Sequence, residues 1–382
     1  MHYLCVYPIY VHTRYSQNES EKNGMSRVLF GLLAACLLLT GCVKQQILDR
    51  INLFIVSAFD ESTKNQIEIT LAVPKFQSGK PGSVSTELFS KVGHTSLGIR
   101  ELMSMQLDRP LNPGKLSVVL YGKDMAANGL AKELDVFLRN AFFSRRMYLA
   151  VVDGSAKKLL EENFSSKEEK GMFLYNLLDT TTRKGLLPSQ NLHEFEYSLI
   201  GKGMDPFLPL LKLQNGQVMI SGTALFKNDK YVVSLNEKQS RLMKLLLTNM
   251  NHGTIEVKLD DESYLAVENI GSKVSYRINP DPKSPNVMIN LVLNAKIRDA
   301  REVRLPKQEL QRIKDSLEND LHTTGLDLIK LFKKEGIDPL GLGDFVRSKT
   351  RNWNEEEWKK VYPTMNVGLY VKVNLTETGI KK

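Results

Sequence analysis

The chain has 382 residues and a formal net charge of +9. Its basic residues are interspersed with acidic ones, and no arginine-rich stripe with interleaved aromatic residues occurs, which argues against a nucleic-acid-binding protein. Most of the lysines fit an ordinary solvated surface, and a membrane with anionic headgroups is the partner that this mild positive charge favours. A chain of this length predicts two or three domains, with enough buried surface for a stable core.

The N-terminal part contains a short apolar segment, Val28 to Leu39, that runs directly into Thr40-Gly41-Cys42. The segment is much shorter than the roughly 20 residues that span a bilayer as a helix, and it has the length of the hydrophobic region of a signal peptide. A Leu-Thr-Gly-Cys sequence in this position has the form of a bacterial lipoprotein processing site. At such a site the cysteine thiol receives a diacylglyceryl group and the chain is cut just before it. The alternative is a buried helix that ends at Gly41.

The lipoprotein interpretation divides the N-terminal part of the chain. It predicts that residues 1–41 are a removed leader, that translation starts at Met25, and that residues 42–52 form a lipidated tether. Cys42 is then the lipid attachment site. The other two of the three cysteines lie in the leader, so the mature chain has no thiol for a disulfide, a zinc site or a nucleophile.

Residues 53–200 are predicted to form an N-terminal domain that mixes a sheet with helices. Leu53 to Asp60 has the pattern of a buried strand, and the alternation from Gln66 to Val73 predicts the second strand of a hairpin. Residues 74–85 are rich in glycine, proline and serine and predict a loop. Two more strands are predicted at 116–121 and 147–152. Helices are predicted at 96–107, from Asp124 through Leu138, and at 155–162, 167–181 and 189–200.

Residues 201–252 are predicted to form a small middle domain. Gly201 to Pro209 contains two glycines and two prolines, which predicts a boundary. Strands at 218–227 and 230–235 are predicted to form a hairpin around Asn228-Asp229, followed by a helix from Glu237 to Met250. A block of about 50 residues is too small to bury much surface, so it is expected to share a core with its neighbours.

Residues 253–382 are predicted to form a C-terminal domain with three successive strands at 254–259, 264–278 and 287–297. A long helix over 307–334 has one narrow apolar stripe, which is typical of a helix that packs on a sheet, and Gly336 ends it. Asp338-Pro339 predicts a further helix start, and so does Asn354 with three glutamates. A last strand is predicted at 367–376. The fold class is therefore α+β, with three domains that each have a mainly antiparallel sheet flanked by helices.

No catalytic constellation emerges from the sequence. The histidines after the leader are widely separated, none with a second ligand residue at helical spacing, and there is no Gly-x-Ser-x-Gly elbow or phosphate-binding glycine loop. Leu340 to Gly343 has two alternating glycines without the third of a dinucleotide site. We therefore predict a protein that is not an enzyme and has no metal or cofactor. The sequence alone does not exclude a pair of facing carboxylates, as in a glycosidase. The four histidines are His94, His193, His252 and His322.

The C-terminal third resembles a known family. Residues 336–347, with the sequence GIDPLGLGDFVR, resemble the DPLGLGD signature of the C subunits of spore nutrient germinant receptors. Residues 353–363 with two tryptophans resemble the family's tryptophan-rich helix, and 220–235 resembles its middle segment. The start of the family is similar to 39–60, although Val43-Lys44-Gln45 stands where many members have Trp-Asp-Arg. Ser234 also replaces a frequent glycine.

The resemblance implies a lipoprotein of the spore or cell membrane, on its outer, extracytoplasmic face. Such C subunits are non-catalytic and act with integral-membrane A and B subunits in a receptor that senses small nutrients and triggers germination. The membrane partner is reached through the lipid on Cys42, which is the only residue carried over by role. The other matching residues are expected to be architectural. Asp338 and Pro339 would start a helix, Gly341 and Gly343 would permit close packing, and Trp353 and Trp358 would be apolar anchors.

Two other protein classes were weighed against this interpretation. A solute-binding lipoprotein of a membrane importer would need alternating strand–helix units in two similar lobes, and the three successive strands at 254–297 argue against it. A lipid-anchored cell-wall hydrolase would need a catalytic carboxylate pair or a histidine–metal set, and no sequence pattern supports one.

Overall fold

The computed structural model describes residues 51–63, 65–76, 84–164, 168–185, 187–258, 264–279, 286–299 and 306–376. The predicted leader, the predicted lipid attachment site Cys42 and most of the predicted tether lie outside these residues. The described residues form helices and strands, and the strands are arranged in three sheets. The mixed α+β prediction is thereby confirmed.

The elements are numbered in chain order. The strands are β1 Asn52–Leu53, β2 Val56–Thr63, β3 Gln66–Phe76, β4 Val84–Gly93, β5 Leu111–Asn112, β6 Val118–Gly122, β7 Tyr148–Val152, β8 Phe207–Gln214, β9 Gln217–Lys227, β10 Lys230–Asn236, β11 Thr254–Lys258, β12 Tyr264–Asn279, β13 Asn286–Asp299 and β14 Asn366–Thr376. The helices are α1 Ser96–Ser104, α2 Lys123–Asn128, α3 Ala131–Leu138, α4 Ala156–Glu161, α5 Lys170–Arg183, α6 Leu192–Ile200, α7 Glu237–Leu247, α8 Lys307–Glu335, α9 Leu342–Lys349 and α10 Glu355–Val361.

The largest sheet has eight strands in the order β10-β9-β8-β7-β6-β2-β3-β4. Its three central pairings, β8 with β7, β7 with β6 and β6 with β2, are parallel, and the outer pairings are antiparallel. The expectation of a mainly antiparallel sheet is therefore wrong for the centre. The cause lies in the connections, since α2 and α3 link β6 to β7, α4 to α6 link β7 to β8, and helical crossovers of this kind join parallel strands.

Both faces of this sheet are covered by helices. On one face α1, α3 and α6 pack through residues such as Ile99, Leu134 and Phe195. On the other face α4 and α5 pack through Leu160 and Leu174. A parallel centre covered on both sides requires strands that are apolar throughout, which explains the unbroken hydrophobic runs of β6 and β7.

The predicted boundary at residue 201 falls between two neighbouring strands of one sheet. Strand β8 pairs with β7 through Val151 and Leu210, so β8 to β10 extend the large sheet and do not form a sheet of their own. At the same time α7 contributes Leu242 and Leu246 to the core of the C-terminal sheet. The middle block thus shares its core with both neighbours, as its small size led us to expect. The domain limits themselves stay a prediction.

The C-terminal sheet has the order β11-β12-β13-β14. The first two pairings are antiparallel, and β13 pairs with β14 in parallel, because α8 to α10 carry the chain back between them. Helix α8 covers one face with its predicted apolar stripe. Gly336 ends this helix in the left-handed conformation, with φ of 64°, as predicted.

Three local features differ from the predictions. Strand β8 was not predicted, and its first residues were interpreted as part of the break from Gly201 to Pro209. The helix predicted from Asp124 through Leu138 is two helices, because Gly129 has φ of 118° and interrupts the hydrogen-bond ladder. The edge strand β4 was not predicted, since its residues have no clear alternation of apolar and polar types. An edge strand is stabilised by backbone pairing on one side only, and here that partner is β3.

Candidate functional site

Cys42, the site residue predicted from the sequence, lies outside the described residues. The candidate site is therefore built from the signature segment, residues 336–347, and from the residues that contact it. No helix among the described ranges is both long and apolar enough to cross a membrane.

Asp338 lies at the centre of the signature segment, and the residue is 4% exposed. Its Oδ1 accepts a hydrogen bond of 2.9 Å from the N–H of Leu342, and Oδ2 accepts one of 2.7 Å from the N–H of Gly343. These are the first N–H groups of α9, which have no partner within the helix. The helix was predicted to begin at Asp338-Pro339, but it begins at Leu342 with Gly341 as its left-handed cap residue, φ 67°. The Asp338 side chain still caps it from one turn upstream.

Asp205 binds the same segment from the loop between α6 and β8. Its Oδ2 accepts a hydrogen bond of 2.7 Å from the N–H of Asp338, and the Asp205 N–H donates one of 3.0 Å to the Asp338 carbonyl. Its Oδ1 accepts a hydrogen bond of 3.1 Å from the N–H of Asn228, at the turn of the β9–β10 hairpin. Asp205 thus joins the signature segment to the large sheet at two points.

The two carboxyls have altered acidity. The pKa of Asp338 is raised to about 7, mainly by burial and also by the nearby charge of Asp205, against the lowering effect of the N–H groups of Gly343 and Leu342. Burial also raises the pKa of Asp205, against the lowering effect of the N–H groups of Asp338 and Asn228. Desolvation is the main cause in both cases, since it disfavours the charged form.

Two glycines allow the segments to approach closely. A Cβ atom on Gly343 would lie 2.5 Å from Trp358 Nε1 and 2.6 Å from Gly203 Cα. Gly203 has φ of 75°, and its carbonyl accepts a hydrogen bond of 2.8 Å from the N–H of Asp344. Larger residues at either position would separate the two backbones. The predicted close packing at Gly343 is therefore what the structure shows.

Aromatic residues cover the contact between the signature segment and the segment around Gly203, called the joint below. Trp358 is buried and lies 5.4 Å from the ring of Tyr362, and the Tyr362 hydroxyl donates a hydrogen bond of 2.8 Å to the carbonyl of Ile337. Burial raises the pKa of the Tyr362 hydroxyl well above its usual value, so it stays protonated and able to donate. Trp358 is thus an apolar anchor, as predicted, and Trp353 packs against the same core from a partly buried position.

A cleft of about 500 Å³ lies beside the joint, between α6, α7 and the signature segment. Its lining includes His193 and Glu194 from α6, Lys244 from α7 and Pro339. Burial lowers the pKa of Lys244, and the charge of Glu194 partly opposes that effect. These groups can donate and accept hydrogen bonds.

The four histidines considered from the sequence lie apart. His193 lines the cleft, while His94 makes a hydrogen bond of 2.9 Å with the Asn65 carbonyl and His252 one of 2.6 Å with the Arg183 carbonyl. His322 lies on α8. Among the residues that the structure describes, no group of three or more histidine, cysteine or acidic side chains could hold a metal ion.

Sequence reasoning missed Asp205 and Gly203. Both stand in the stretch Gly201 to Pro209, which was interpreted only as a boundary. A glycine and an aspartate in a break are ordinary turn residues, so no local signal marks them as partners of a segment more than 130 residues away. The contacts of Asp205 and Gly203 with the signature segment could have been suggested only by comparing the two segments across many sequences.

Two protein-family models match the chain. Residues 44–213 match the one described as "Spore germination protein N-terminal domain", and residues 221–379 match the one described as "Spore germination B3/ GerAC like, C-terminal". Together they span nearly the whole chain after the predicted processing site.

Individual proteins agree with these matches. Spore germination protein GerQC of Bacillus cereus is 28% identical over 358 residues, which cover 92% of this chain and 98% of that protein. Putative spore germination protein YfkR of Bacillus subtilis (strain 168) is 23% identical over 381 residues, with 91% and 95% covered. The crystal structure of the GerBC protein has a TM-score of 0.58 at 17% identity and covers 84% of this chain and 96% of its own. That likeness shows a common fold.

Proposed function

This chain belongs to the GerAC/GerBC-like family of spore germination C subunits, and from that premise we propose that it is the lipid-anchored, non-catalytic C subunit of a spore nutrient germinant receptor. The observation that carries the proposal is the pair of family matches, in the family's own order, over 44–213 and 221–379. Two matches in this order depend on similarity along nearly the whole chain after Cys42 and not on one shared motif.

The proposed anchor is the lipid on Cys42. Two or three acyl chains on one N-terminus hold a protein stably at a bilayer, whereas a single acyl chain binds reversibly. The anchor would confine the chain near integral-membrane A and B subunits on the outer face of the spore membrane. Confinement raises the effective concentration of the partners, so weak contacts with them are sufficient.

The arrangement around Asp338 supports a role in assembly. The Asp338 carboxylate of the signature segment accepts hydrogen bonds from backbone N–H groups of the same chain, and Gly343 packs closely against Gly203 and Trp358. The segment thus serves to hold α8 to α10 on the large sheet. A subunit whose characteristic residues fix its own shape is suited to presenting a constant surface to its partners.

The proposal is tested by germination of spores that lack this chain. We expect them to lose the response to some nutrients while they keep the response to a non-nutrient trigger, measured as the fall in optical density of a spore suspension. Wild-type chain should restore the response, and Cys42→Ala should fail to do so. Cys36→Ala is the matched control, because that cysteine lies in the predicted leader and its loss should have no effect.

Two outcomes would contradict the proposal. Full rescue by Cys42→Ala would mean that the lipid is not needed. An unchanged response to every nutrient, together with a loss of uptake of one solute, would favour the importer lipoprotein.

A further inference from the structure

Four large apolar side chains are exposed at one end of the large sheet. Phe142 is 83% exposed and Met105 is 73% exposed, and Leu97 and Leu102 on α1 are 56% and 47% exposed. Burying apolar surface is the main favourable contribution to folding, so a group of such side chains left in solvent indicates a surface that contacts something else. These four residues are called the α1 face below.

The four residues lie on neighbouring elements. Ile99 and Met103 are buried and hold α1 to the sheet, which leaves the other side of the helix outward. A small cavity of about 40 Å³ is lined by Leu97 from α1 together with Phe137 and Phe143. Phe143 packs edge-on against Phe137 at 4.9 Å between ring centroids. The turn that carries Phe142 is therefore next to α1.

The described chain begins at the same end. The Asn52 N–H donates a hydrogen bond of 2.9 Å to the carbonyl of Pro110, and its side-chain amide donates one of 3.1 Å to the carbonyl of Arg109. These two acceptors follow closely after Met105 at the end of α1. Phe54 also lines the small cavity beside α1.

The proposed lipid attachment site cannot be far from this end. Asn52 lies ten positions after Cys42 in the sequence. Each residue of a fully extended chain spans at most about 3.3–3.6 Å, so Asn52 lies within about 35 Å of the anchored cysteine whatever the conformation between them. The end that carries the α1 face is thus within reach of the bilayer.

The charge around the α1 face suits an anionic surface. Residues 95–116 and 139–147 together contain six basic and two acidic residues. Asp135 and Glu196 on neighbouring helices form ion pairs with Arg139 and Arg145, which still leaves an excess of positive charge. Basic groups around exposed apolar side chains are typical of helices that lie in a membrane interface.

We propose that the α1 face contacts the lipid bilayer, with Leu102, Met105 and Phe142 entering the boundary between headgroups and acyl chains. The inference rests on the proposed lipid anchor at Cys42 and adds to it a defined orientation of the folded chain. One lipidated residue on a tether leaves the chain free to turn, whereas a second, apolar contact fixes which surfaces point away from the membrane.

The test uses the full lipidated chain in vesicles that contain anionic lipids. With the leader removed and the Cys42 thiol acylated, an introduced cysteine is the one reactive thiol, so a fluorescent label can be placed by Met105→Cys or Phe142→Cys. Tyr264→Cys and Tyr370→Cys are matched controls, since these side chains are 58% and 54% exposed and lie on the C-terminal sheet. We expect lipids with nitroxide-bearing acyl chains to quench the first two labels several-fold more than the controls.

The outcomes separate the inference from the anchor. If the chain floats with the vesicles but the labels at 105 and 142 are quenched no more than the controls, the α1 face is not the membrane contact although the anchor holds. The α1 face is likewise not the membrane contact if the fluorescence of those labels changes only when further copies of this chain are added. If the lipidated chain does not float with the vesicles, the proposed anchor is wrong, and so is the orientation that rests on it. Thermal unfolding of each labelled variant should match wild type, because the replaced side chains are exposed.

Discussion

Asp338 and Asp205 hold together two segments that lie 133 residues apart in sequence. Each carboxylate accepts two backbone N–H groups, and no basic side chain hydrogen-bonds to either of them among the described residues. Sequence analysis singled out Asp338, Gly341 and Gly343, because a helix-start pattern and glycines are local signals. It could not identify Asp205, because its role depends only on where the chain returns in space.

Asp338→Asn should destabilise the protein. An amide offers one acceptor oxygen in place of two, so the N–H of Leu342 or of Gly343 loses its partner, and an unsatisfied buried group costs about 1–3 kcal/mol. Urea unfolding measures the loss. The control is Asp344→Asn, which removes a partly exposed ion pair with Arg347 and should cost less than about 1 kcal/mol. Equal effects of the two variants would show that the Asp338 hydrogen bonds are not structurally important.

The pH dependence of stability should reveal the raised pKa of Asp338. The folded-state value of about 7 lies above the ordinary 3.8, so between these values the folded state binds the proton more tightly than the unfolded state. The contribution of Asp338 to stability is then largest at low pH and declines as the pH rises towards 7. The stability advantage of wild type over Asp338→Asn should therefore shrink between pH 5 and pH 7.5. An advantage that grows over this range would contradict the raised pKa.

At the scale of elements, helix α8 was the most predictable and strand β4 the least. The stripe of α8 repeats over many turns and ends in a glycine, so periodicity and capping agree with the packing that is observed. Strand β4 depends on pairing with β3, which leaves no period in its own sequence. The break between α2 and α3 at Gly129 is also supported by tertiary contacts, since Gly129 lies against Asp229, whose carboxylate accepts a hydrogen bond from the N–H of Ala131.

Leu317→Ala in α8 should be strongly destabilising. Leu317 is 1% exposed within the C-terminal core, and truncating a buried leucine costs about 2–5 kcal/mol through lost burial and the cavity that remains. Leu310→Ala makes the same chemical change at a partly buried position of the same helix. Thermal unfolding should therefore show a clearly smaller loss for Leu310→Ala, and an equal loss would mean that α8 does not pack as described.

At the scale of the whole molecule, the large sheet and the C-terminal sheet share the middle block. Strands β8 to β10 belong to the first sheet and α7 to the core of the second, and the Asp205–Asp338 contacts add a further connection. The described residues all fall in the single compact unit Asp49–Lys382. Such continuity favours cooperative unfolding over independent melting of predicted domains.

Unfolding of the wild-type chain should therefore be a single transition. The two tryptophans, Trp353 and Trp358, report on the C-terminal part by fluorescence, while far-ultraviolet circular dichroism reports on all elements. The two curves should coincide in urea, which is the usual sign of a two-state transition. An earlier fluorescence transition would show that the C-terminal part unfolds on its own.

The amino-acid sequence by itself determined the family, the α+β class, the apolar stripe of α8 and the architectural residues of the signature segment. Each of these depends on residues that are close in sequence or on ordered motifs, so periodicity, capping and spacing suffice. Only the tertiary structure decided the parallel centre of the large sheet, the sharing of the middle block and the pairing of Asp205 with Asp338. Those features depend on which distant segments meet, and the stability of a buried carboxylate or a central strand is set by the partners it finds there.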